Sequence, residues 1–170
     1  LVIAGIAAMN LQGIQGAIFQ LVNFPLIAGG LMLMAGFLHH RLGSTDLASL
    51  GGLAKPMPQF TAWFLLFGMA AIGLPGTSGF VAELLMLLGI FQAFPILASI
   101  ALLGVILGAA YFLGFFRLAF LGPVTHPTVA SAMDLRPREL LLVGTLGLLI
   151  LIGGLFPSLT QRVTARAADA

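Results

Sequence analysis

A carboxylate set among apolar residues can load and release a proton, and Glu83 is such a group. It lies in the run Phe60 to Gln92, which is apolar enough to cross a bilayer. About ten residues separate it from the following end of that run, roughly 15 Å at 1.5 Å per residue, too deep for a short side chain to reach the headgroups. An ionisable residue at that depth is costly, so it is read first as a functional group. The competing reading is a structural carboxylate held by a hydroxyl or a neighbouring helix. Upstream stands Gly73-Leu74-Pro75-Gly76-Thr77-Ser78-Gly79. Pro75 removes a backbone donor and Gly73, Gly76 and Gly79 weaken a helix, which predicts a break. Backbone groups freed at membrane depth must be satisfied by protein or trapped water. Thr77, Ser78 and the opened backbone are therefore candidates for ordering water beside Glu83.

A second set of polar groups lies earlier. Gln15, Gln20 and Asn23 interrupt an apolar stretch, and Pro25 frees the carbonyl of Leu21 within a turn of Gln20 and Asn23. Such amides either orient water on a proton path or join helices together, the second being the commoner use in membranes. His39, His40 and His126 make no metal-ligand pattern with a carboxylate or with one another, and no metal site is expected. His39-His40-Arg41 reads as the positive end of a helix. The sequence has no cysteine, which excludes disulfides, thiolate metal sites and iron–sulfur ligation.

These groups must be positioned by membrane helices. Charged residues make up 7% of the chain and hydrophobic ones 60%, with a mean hydropathy of +1.14. That composition is of an integral membrane protein. The pI near 10.0 rests on seven Lys and Arg against five Asp and Glu, with no basic run, so nucleic-acid binding is not expected. The fold expected is all-α and integral to the membrane: a bundle with spans at about 11–41, 60–93, 96–121 and 138–157, the second discontinuous, forming one membrane domain over residues 1–170. Leu1 to Ala8 is too short to span. Thr45-Asp46 predicts a short surface helix over Leu47 to Leu53. The near absence of a loop at Ala93-Phe94-Pro95 makes the second and third spans antiparallel neighbours, and Gly104 with Gly108 offers a face for close helix approach. Tyr111 and Arg117 follow in the third span, Arg117 as an interface anchor. Pro157 is expected to stop the last span, and Ser158 to Ala170 to form an exposed end. Arg41, Lys55, Arg117, Arg136 and Arg138 fall on the face of the two long connections, against Arg162 and Arg166 on the other. By the positive-inside bias the long connections are cytoplasmic and the C-terminus is outside.

The run Gly73 to Glu83 resembles the signature of the antiporter-like membrane subunits of respiratory complex I, in which Leu-Pro and Gly-Phe precede an ionisable residue. Glutamate at that last position is similar to the proton-translocating subunit M. Gln15-Gly16-Ala17 with Gln20, Asp46 with Gly51-Gly52-Leu53, Asp134-Leu135-Arg136-Pro137-Arg138-Glu139 and Phe156-Pro157 extend the resemblance from about Gln12 to Pro157. It implies the last four helices of a fourteen-helix fold, in which Glu83 carries protons and other key groups lie in earlier helices. It further implies a multi-pass protein of a bacterial inner (plasma) membrane, beside the antiporter-like subunits L and N. No cofactor is implied for this chain; NAD, FMN, iron–sulfur clusters and quinone belong to other subunits, so the chain is an oxidoreductase only as a subunit. Two departures stand out. Phe24 and Gly43 occupy places where the family has histidines, and His39 and His40 do not match the second of them. Two alternatives remain at this stage. A multi-subunit sodium/proton antiporter shares the pattern and would be told apart by its partner chains. A non-conducting scaffold is favoured by the missing histidines and opposed by Glu83.

Overall fold

The computed structural model describes residues 1–47, 50–124 and 126–156. The elements are α1 (Val2–Ala7), α2 (Leu11–Leu42), α3 (Pro58–Ala71), α4 (Ser78–Ala93), α5 (Pro95–Phe120), α6 (Pro127–Ala130) and α7 (Pro137–Leu155). Among the described residues there is no strand, and α2, α5 and α7 are each long and apolar enough to cross a membrane. At 14 and 16 residues, α3 and α4 are each too short to do so alone, since a span takes about 20 residues.

α2 is the axis of the bundle. Asn10 starts it, its Oδ1 accepting the Gly13 N–H at 2.8 Å, and Gly43 ends it with an N–H to His39 O at 2.8 Å. Pro25 is accommodated inside this helix without ending it. The partners of α2 appear in reverse order along it. Gly89 and Met86 of α4 lie at Gly13 and Gly16, Ser78 lies at Asn23, and Phe67 of α3 lies at Gly30. So α3 and α4 together make one antiparallel companion to α2, interrupted at 72–77. The glycines set how close the axes come: a Cβ on Gly89 would fall 2.6 Å from Gly13 Cα, and one on Gly16 would fall 2.7 Å from Met86 N. Asn10 fastens this crossing by donating from Nδ2 to Gly89 O at 2.7 Å.

α5 returns from the turn at Phe94 alongside α4 and then α3. Its last turns carry Phe112 and Phe120, which stack with Phe64 of α3, Phe120 also with Phe60, and Phe116, which stacks on Phe120; the Phe64–Phe120 and Phe116–Phe120 centroids are 4.8 and 4.7 Å apart. Among the described residues Gly104 and Gly108 serve no close approach, because a Cβ on either meets nothing within 4 Å. Packing of α5 is concentrated in its aromatic end instead. Of the surface helix expected over Leu47 to Leu53, the described residues keep a single turn at Leu47, whose carbonyl accepts the Leu50 N–H at 3.2 Å, and from Leu50 to Leu53 the chain is not helical. Leu53 and Ala54 give their N–H groups to Ala119 O and Phe120 O at 3.4 and 3.0 Å, and Leu50, Leu53 and Met57 are buried under the core. A loop tied to the end of α5 cannot also satisfy those donors within its own helix. Pro157, Arg162, Arg166 and the rest of the tail lie outside the described residues.

A knot of polar contacts joins α2, α3 and α7 at the end opposite Phe94. The Arg41 guanidinium donates from Nε to Met133 O at 2.8 Å, to Asp134 O at 3.3 Å, and to the Glu139 carboxylate. Glu139 also accepts the Arg136 N–H at 2.8 Å and so caps α7. Asp134 caps α3, which has no side-chain cap of its own, by accepting the N–H groups of Gln59 and Phe60 at 2.8 and 2.9 Å.

Candidate functional site

The interruption between α3 and α4 is a defined turn. Gly73, at φ +73°, gives its N–H to Ala70 O, and Leu74 reaches back to Met69 O at 2.9 Å, the paired bonds of a Schellman ending. Gly76, at φ +95°, continues the turn around Pro75, and Thr77 precedes the first turn of α4. Gly79 belongs to α4 rather than to the break; without a side chain, it lets the Ala70 carbonyl approach the new helix. The Thr77 hydroxyl donates to Leu74 O at 2.7 Å, so it leaves the N–H groups opening α4 without a side-chain cap. From the last turn of α7, Gly153 and Gly154 close over this turn: a Cβ on Gly154 would meet the backbone of Gly76 and Thr77.

Glu83 comes back onto the break from one turn into α4. A Cβ on Gly73 would lie 2.5 Å from Glu83 Oε2 and 3.3 Å from its Cδ, so the carboxylate rests on the bare Cα where α3 ends. No hydrogen bond or ion pair joins it to a described residue. It faces a pocket of about 520 Å³ bounded by Ala71, by Leu1 and Ala4, and by α5, where Gly104, Val105 and Gly108 form the far wall. The glycines that fail to pack α5 against α4 are thus the ones that leave room before the carboxylate.

The other polar candidates sit on the α2 side of the break. Ser78 and Asn23 are buried, and the Ser78 hydroxyl donates to Asn23 Oδ1. Asn23 Nδ2 and Gln20 Oε1 are buried with no partner among the described residues. Two orphaned amide groups a turn apart, beside a hydroxyl and a helix break, suit a water held between them. Phe24 points outward and is exposed. Among the described residues no cluster of His, Asp and Glu has metal-binding geometry. Sequence reasoning missed Gly153 and Gly154 as the lid on the break; the small pair at the end of an apolar helix was the available signal.

The transmembrane family described as NADH:quinone oxidoreductase/Mrp antiporter matches residues 1–108. The chain belongs to this family. Subunit M of the Rhodobacter capsulatus NADH-quinone oxidoreductase is 42% identical over 155 residues, covering 91% of this chain and 30% of that protein. The chain thus spans about 30% of the length of that curated relative. In respiratory complex I from Thermus thermophilus with bound NADH, one chain superposes with a TM-score of 0.84 at 34% identity, over 92% of this chain and 32% of that one. A chain of the Mrp complex from Dietzia sp. DQ12-45-1b shares the fold, with a TM-score of 0.80 at 23% identity, over 98% of this chain and 39% of the other. In this chain the site's polar groups gather on the interrupted span and on the facing turn of α2.

Proposed function

We propose that this chain is part of a proton-translocating membrane subunit of NADH-quinone oxidoreductase, and that Glu83 carries the proton. The observation that carries this reading is the Glu83 carboxylate resting on Gly73 at the helix interruption, in a pocket, with no hydrogen bond or ion pair to a described residue. A carboxylate that is partly buried yet unpaired is poised to change protonation when its surroundings change. Water at Gln20 and Asn23 would serve as the approach from a lysine in the rest of the protein, and the pocket against α5 as the departure. Quinone reduction in other subunits, which hold NAD, FMN, iron–sulfur clusters and quinone, would drive the change of surroundings. The neighbours would be the antiporter-like subunits L and N in a bacterial inner membrane, with the long connections cytoplasmic and the C-terminus outside.

The test is Glu83→Gln in the assembled, reconstituted complex, with NADH oxidation by quinone and proton uptake into vesicles measured side by side. Loss of proton uptake and of coupled turnover in an assembled complex is the expected result. Normal values of both would make Glu83 structural and leave a non-conducting scaffold.

A further inference from the structure

A second pocket lies far from Glu83, at the end of the bundle held by the polar knot. It encloses about 230 Å³ between the last turn of α2, the short α6 and the first turn of α7. Its polar lining is His40, Arg41, Thr128, Ser131, Arg136 and Glu139. Arg41 and Glu139 are spent on each other, and Glu139 is further engaged by the Arg136 N–H. The Arg136 guanidinium and the His40 ring are exposed, and no described residue lies at ion-pair distance from either, although Glu139 feels the Arg136 charge. Beside them stands the Thr128 hydroxyl, the Ser131 hydroxyl being turned to Pro127 O and Thr128 O at 3.2 and 3.3 Å. What the pocket offers beyond its internal pair is therefore positive charge and hydrogen-bonding groups, the chemistry that receives a phosphate.

Position selects the source of that phosphate. α2 and α7 are both of membrane-spanning length, and the pocket sits where one ends and the other begins, which is the depth of the headgroups. Below His40 on the same side of α2, Gly36 has nothing within 4 Å of a Cβ position, and Leu33 and Met32 are exposed. A chain leaving the pocket would run down this apolar strip, whereas a free phosphate has no use for it. At about 230 Å³ the pocket has room for a glycerophosphate but not for acyl tails. We propose that this pocket binds the headgroup of an anionic phospholipid, with Arg136 and His40 facing the phosphate and the tails lying along Leu33 and Met32. The site is independent of the proton route.

The experiment reconstitutes the full complex into phosphatidylcholine vesicles carrying a small fraction of photoactivatable phosphatidylglycerol, or in parallel of photoactivatable phosphatidylcholine, and maps the labelled peptides. Phosphatidylglycerol should label the segments around Thr128 to Arg136 and the end of α2 in preference to phosphatidylcholine. Labelling should fall about fivefold in Arg136→Gln, the effect of one basic group near an anionic lipid, and persist in Arg136→Lys and in Arg138→Gln, whose arginine does not line the pocket. Equal labelling by both lipids, an unchanged Arg136→Gln, or an equal loss in Arg138→Gln would overturn the proposal. Abolition of labelling by millimolar inorganic phosphate would also overturn it, by assigning the pocket to free phosphate.

Discussion

Gly73 and Gly76 permit a test of what the carboxylate's position is worth. Both have positive φ, where a side chain costs about 1–2 kcal/mol. Only at Gly73 does an added Cβ collide with Glu83; at Gly76 it meets nothing within 4 Å. Gly73→Ala and Gly76→Ala should thus lower the thermal stability of the complex by similar amounts, while protons taken up per NADH oxidised fall in Gly73→Ala alone. Equal proton yields from the two variants would mean that the seat on Gly73 is irrelevant to transfer. The run of Gly, Pro and polar residues made this interruption legible from sequence, since those residue types oppose a helix wherever they stand. The seating of Glu83 on Gly73 was not legible, because it depends on how the chain turns between two helices. Gln20 and Asn23 were readable as candidates, but their lack of partners follows from the packing of α4 on α2.

At the level of elements, α3 depends on a residue far away in sequence. Asp134 satisfies the Gln59 and Phe60 N–H groups across 75 and 74 positions. Replacing an N-capping side chain by alanine costs about 1 kcal/mol. In Asp134→Ala the Gln59 and Phe60 amides should exchange with deuterium about fivefold faster, with α4 and α5 unchanged. Unaltered exchange at those two amides would refute a cap supplied from the α6–α7 connection. Apolar periodicity made the helices recognisable, yet it reports only local preference. It gave no sign that Leu53 and Ala54 bond to the end of α5, so the helical turn at Leu47 read as continuing to Leu53. The Gly104 and Gly108 spacing is likewise a local pattern, and the aromatic end of α5 decides where that helix packs.

For the whole molecule, charge distribution and architecture meet. The ends of α2 and α5 and the starts of α3 and α7 lie together, so Arg41, Lys55, Arg117, Arg136 and Arg138 share one end of the bundle, with the Phe94 turn at the other. These 170 residues contain no cysteine, so in a protein cleared of any cysteine elsewhere single cysteines can report the orientation. A membrane-impermeant maleimide added outside intact cells should label Phe94→Cys and leave Lys55→Cys unlabelled until the membrane is opened. The opposite pattern would invert the proposed topology. The clasp on the interruption also sets an order of assembly. Gly153 and Gly154 are synthesised long after Gly76 and Thr77, and Asp134 long after Gln59. The interrupted span must therefore enter the membrane with its turn uncovered and its first helix uncapped. It becomes complete only when α7 arrives, so a ribosome stalled before residue 154 would hold a span whose most polar stretch still lacks its cover.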